Sequence, residues 1–125
     1  MERTVRVDLG LVIADAELVE LGYGRDRSLR MVFETGVFLP DYLVEVMFTE
    51  TVAFRLQAAE YSIDGNDQCD DFTYEVLDSA WLAVHLEQNY VGAEAQLRHF
   101  KFSFAGSSPT LEVLCGAVSH RRAEG

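Results

Sequence analysis

Three histidines, two cysteines and a cluster of aspartates are the groups in this chain best able to do chemistry. His85, His99 and His120 do not pair with one another or with a cysteine at the short spacings of zinc ligands, and a zinc site needs three or four such groups converging. A catalytic role for any of them would need a nucleophile and an orienting carboxylate nearby, and no local signature supplies either. Ser107 and Ser108 lack the Gly-x-Ser-x-Gly frame and read as turn residues. Asp64, Asp67, Asp70 and Asp71 offer the hard oxygen ligands that calcium prefers, but Gly65 follows the first aspartate directly, out of step with an EF-hand loop. No cofactor is expected. Cys69 lies among carboxylates that disfavour its thiolate, and Cys115 alternates with Leu111 and Val113 as a small hydrophobe. Gly22-Tyr23-Gly24 is too short for a phosphate loop and is given turn duty.

Charge is the more informative feature. Ten basic residues face twenty-one acidic ones, for a net charge of -11. Between Leu56 and Leu97 there is no Lys or Arg, and Glu60, Asp64, Asp67, Asp70, Asp71, Glu75, Asp78, Glu87 and Glu94 all fall there. The acidity is therefore regional. Such a field repels nucleic acid and anionic lipid and steers a basic protein partner; a solubilising face is the plainer alternative. No apolar run approaches the roughly 20 residues that span a bilayer, and Met-Glu-Arg-Thr-Val-Arg-Val-Asp lacks the apolar stretch of a signal peptide. A cytoplasmic protein without membrane contact is expected.

The elements that must position these groups are read from periodicity. Phe100, Phe102 and Phe104 alternate with His99, Lys101 and Ser103, and Leu111, Val113 and Cys115 resume the pattern after a turn. This is a hairpin, expected to pair Phe104 with Leu111, Phe102 with Val113 and Phe100 with Cys115, with Lys101 diagonal to Glu112. Val5, Val7, Leu9 and Leu11 mark an early strand, and residues 16–33 a second hairpin around the Gly22 to Arg27 loop. The period-two run from Val44 to Ala58 predicts two half-buried strands with a bend or bulge near Thr49 to Thr51, or one long bent strand. Phe72, Tyr74 and Val76 predict a short strand. Leu77, Trp81, Val84 and His85 then recur at helical spacing, with Asp78 or Ser79 as N-cap, so a helix is expected over about 77–88. A strand competes, because Trp81, Ala83 and His85 also alternate. The tail from His120 to Gly125 is expected to fray.

One domain of 125 residues follows: an α+β, β-dominated antiparallel curled sheet or small open barrel with one main helix, packing Phe48, Phe54, Phe100, Phe102 and Phe104 against Trp81. The acidic loop, the helix beginning Leu-Asp-Ser-Ala-Trp-Leu at Leu77, and the closing Arg-His-Phe-Lys-Phe-Ser-Phe and Leu-Glu-Val-Leu-Cys strands carry a resemblance. This layout resembles small uncharacterised bacterial proteins, some similar to the immunity proteins of toxin systems. The resemblance implies a cytoplasmic antitoxin that blocks a toxin by occlusion, and it transfers no functional residue. The leading expectation is a non-enzymatic acidic protein-binding domain using Asp64, Asp67, Asp70, Asp71, Tyr74 and Glu75. The alternative is a small-ligand binder or enzyme with a pocket at the mouth of the sheet, lined by His99 and Trp81. Homo-oligomerisation through an unpaired sheet edge is a third expectation.

Overall fold

The computed structural model describes residues 3–13, 16–36, 40–57, 73–87, 96–103 and 110–123. Alternating apolar residues build two antiparallel sheets that do not close into a barrel. A five-stranded sheet has the order β1 (Thr4–Arg6), β6 (Thr73–Val76), β7 (Arg98–Ser103), β8 (Thr110–Cys115), β5 (Ala53–Gln57). A four-stranded sheet has the order β2 (Glu17–Tyr23), β3 (Leu29–Glu34), β4 (Leu43–Thr49), β9 (Ala117–Ala123). Helix α1 (Ala80–Glu87) follows β6. The β-dominated α+β expectation with one main helix holds, and the helical spacing of residues 77–85 wins over their alternation.

The core lies between the sheets. Leu29, Met31, Phe33, Val44, Val46 and Phe48 meet Phe100, Phe102, Leu111, Val113 and Cys115 in one buried cluster. Phe48 and Phe102 cross it edge to face, 5.4 Å between ring centroids. Burial pushes the Cys115 thiol up to about 12, which suits a packing role.

Four expectations are corrected. The β7–β8 register is shifted by two residues, with Phe102 opposite Leu111, Phe100 opposite Val113, and Lys101 directly opposite Glu112. Matching apolar faces fixes a register only to within steps of two, because a two-residue slip leaves every side chain on its face. Trp81 does not join the phenylalanine core: it packs against His99 on the outer face of the five-stranded sheet. Phe54, on an end strand, is 39% exposed, with its ring 5.9 Å from that of Tyr23. Residues 120–123 do not fray, because β9 pairs with β4 from Ala117 to Ala123. Phe104 lies outside the described residues.

Two chain segments cross between the sheets side by side. β4 passes into β5 through Glu50 to Val52, and β8 into β9 through Gly116, so β4 pairs with β9 in one sheet and β5 with β8 in the other. The Gly116 N–H donates to the Thr49 carbonyl at 3.0 Å, and the Val52 N–H to that of Leu114 at 3.0 Å. Glu50 takes the left-handed conformation (φ 53°), which marks the bend expected near Thr49 to Thr51. A Cβ at Gly116 would lie 3.1 Å from the Glu50 Cβ and collide with its carboxylate. Gly116→Ala should therefore cost about 1–3 kcal/mol. Adding Glu50→Gly, which removes the obstruction and suits positive φ, should restore most of the urea midpoint; no restoration would mean that the crossing is not the source of the loss.

Candidate functional site

His99 is the hub of a buried polar chain on the outer face of the five-stranded sheet. Strand alternation sends Phe100 and Phe102 into the core and turns His99 the other way, where α1 covers it to 1% exposure. Its Nε2 lies 2.8 Å from Glu112 Oε1 and its Nδ1 2.7 Å from Ser79 Oγ. A carboxylate only accepts, so Nε2 carries a proton and donates to Glu112. In the neutral ring Nδ1 accepts from the Ser79 hydroxyl, whose oxygen in turn accepts the Leu82 N–H at 3.0 Å and caps α1.

Arg55 closes the chain on the other side. Its Nε and Nη2 donate to Glu112 at 2.8 and 3.1 Å, as the β5–β8 register requires by setting Arg55 opposite Glu112. Its guanidinium lies 4.4 Å from the Trp81 ring centroid, and the Trp81 ring meets that of His99 at 5.4 Å and 76°. Burial alone would raise the Glu112 carboxyl, but hydrogen bonds from His99 and Arg55 and the positive charge of Arg55 outweigh it and hold it at about 2.

Hydroxyl, imidazole and carboxylate thus stand in the order of a hydrolytic triad. Ser79 and His99 are nevertheless both buried, and the hydroxyl is committed to the helix cap. The arrangement locks α1 onto the sheet.

Of the residues expected to form a site, His99 and Trp81 are brought together. Tyr74 and Glu75 point to opposite faces of β6, Tyr74 opposite Lys101 and Glu75 opposite Phe100. Arg98 grips the Glu75 carboxylate in two hydrogen bonds of 2.9 and 2.7 Å, and these hold its pKa below the usual range. Asp64, Asp67, Asp70 and Asp71 lie outside the described residues, as does Cys69.

Sequence reasoning missed the partnership of Arg55 and Ser79 with His99, which no spacing could reveal. It also missed a pocket of about 250 Å³ at the opposite side of the core. Leu11, Val12, Phe33 and Val44 form its apolar wall, and Thr35, Tyr42, His120 and Arg122 its polar one. The clue was present: His120 and Arg122 continue the parity of Val118, which packs against the core.

Fold and site together define an antiparallel two-sheet α+β domain whose single described helix is pinned by a buried histidine network. No helix among the described residues is long and apolar enough to cross a membrane. No protein-family model, curated protein or solved structure matches the chain.

Proposed function

We propose that the protein is a non-enzymatic binding domain whose acidic side captures a basic protein, as an immunity-type inhibitor blocks a toxin or enzyme by occlusion. The observation that carries this reading is α1 with its preceding turn. Leu77, Val84 and Leu86 are 48%, 48% and 45% exposed, and α1 fully buries none of its residues. They fall in the stretch between Leu56 and Leu97 that holds nine acids and no Lys or Arg. Apolar anchors amid charge of one sign suit a partner with an apolar centre and a basic rim, the charge giving speed and orientation and the anchors affinity. The cytoplasm is the compartment this reading assigns, with no nucleic acid or membrane as partner.

Capture by immobilised protein from a lysate of the source organism tests it, comparing wild type with a Val84→Arg, Leu86→Arg variant. A basic protein should be retained by wild type, released as salt rises, and lost from the variant. Equal capture by both would remove α1 from the interface. A second reading, self-association through a sheet edge, draws on β5, an end strand on which Phe54 and Leu56 are 39% and 49% exposed. Light scattering showing a dimer that Leu56→Lys disrupts would favour it.

A further inference from the structure

The pocket beside β9 has a chemistry at odds with the rest of the chain. The net charge is -11, yet none of the described residues lining this pocket is acidic. β9 sets His120 and Arg122 in register with Val46 and Val44, on the core-facing side where apolar residues would complete the packing. An imidazole and a guanidinium thus stand at the rim of an apolar floor made by Phe33 and Val44.

Arg122 also differs from its neighbours in what it touches. Arg30, Arg55, Arg98 and Arg121 each hold a carboxylate. Arg122 stacks its guanidinium 4.2 Å from the Tyr42 ring centroid and has no carboxylate partner among the described residues. A stacked guanidinium keeps its donor edge in the plane, ready for a two-oxygen acceptor.

Thr35, only 3% exposed, points the same way. Its oxygen accepts the Tyr42 N–H at 3.1 Å, and its own O–H has no acceptor among the described residues. Gly10 holds the His120 ring close: it adopts φ +76°, and a Cβ there would stand 2.9 Å from His120 Nε2.

From this convergence of donors over an apolar floor we infer that the pocket binds a small organic carboxylate. Its anion lies on the Arg122 guanidinium, with Thr35 and His120 as further donors, and its apolar body lies against Phe33 and Val44. The cavity falls just below the roughly 300–1,000 Å³ of drug-sized sites, which restricts the ligand to a compact one such as a short aliphatic or single-ring acid. This site is independent of the α1 surface and stands whether or not that surface binds a protein.

Calorimetric titration with hexanoate and benzoate, each beside its neutral counterpart hexanol or benzyl alcohol, tests the assignment. The acids should bind at least about tenfold more tightly than the alcohols, and Arg122→Gln should remove that difference. Amide shifts on titrating the wild type should centre on Thr35, Tyr42 and His120, a readout that does not depend on the variant folding. Lys101→Gln, on the other sheet's outer face, should bind as wild type does. Equal affinity for acid and alcohol, an Arg122→Gln variant that binds hexanoate and benzoate like wild type, or inorganic phosphate giving the same shifts would overturn the assignment. The absence of binding would leave Arg121 and Arg122 as charges that keep an end strand from pairing with another chain, and would overturn it equally.

Discussion

Replacing Phe102 by alanine should lower the unfolding free energy by about 3–5 kcal/mol. The side chain has no exposed surface, crosses Phe48 edge to face, and stands between Thr73 and Leu111 in the middle of the five-stranded sheet. Its removal leaves a cavity in the layer where the two sheets meet, and strands on both sides prevent the walls from collapsing. A loss of that size is a large part of the roughly 5–15 kcal/mol that holds a domain folded. Phe54→Ala is the control, because on β5 the same residue type keeps 39% of its surface in water; about 1 kcal/mol is expected there. Urea midpoints of the two variants measure the contrast. Similar losses would mean that the core is not centred where the sheets cross.

Glu112→Gln should cost about 1–3 kcal/mol at neutral pH, and the penalty should shrink in acid. The sign follows from the direction of the shift. Glu112 is held at about 2, below its value in an unfolded chain, so its ionised form stabilises the fold above about pH 5 and that contribution is lost as the pH falls through about 2. At face value the shift is worth about 3 kcal/mol. The side chain keeps 15% of its surface, and screening there reduces the expected loss to about 1–2 kcal/mol. Glu45, lowered chiefly by its hydrogen bond from Arg30, and Glu75, lowered chiefly by that from Arg98, titrate in the same sense. Acid unfolding of the wild type therefore sums several carboxylates, and only its difference from Glu112→Gln isolates this one. A difference between the two proteins that stays constant from pH 7 to about pH 2 would show that the His99 and Arg55 contacts do not set the acidity of Glu112.

The two arginine clusters differ in kind. On the outer face of the four-stranded sheet, Glu45 lies between Arg30 at 2.6 Å and Arg121 at 3.0 Å, with Glu20 extending the row at 2.6 Å from Arg30. Glu45 itself is buried, but Arg30 and Arg121 keep 36% and 76% of their side-chain surface, so water screens these pairs from the arginine side. Around Glu112 the histidine is buried and the arginine is stacked on Trp81, so the same residue types hold an element in place.

The sequence by itself determined most of the strands and their inward faces through period-two alternation, a bend near Thr49 to Thr51, and through three- and four-residue spacing a helix capped by Asp78 or Ser79, because each depends on neighbours along the chain. It also determined that Cys115 is interior and that acids dominate residues 57–96. The tertiary structure decided what depends on groups distant in sequence: the two-residue shift between β7 and β8, the side of the sheet on which Trp81 rests, and the pairing of β9 with β4. It made His99 a buried hub, because Ser79, Arg55 and Glu112 arrive from the turn before α1, from β5 and from β8. It also turned His120 and Arg122 from a tail into the rim of a pocket, because only pairing with Val46 and Val44 fixes which way an end strand faces.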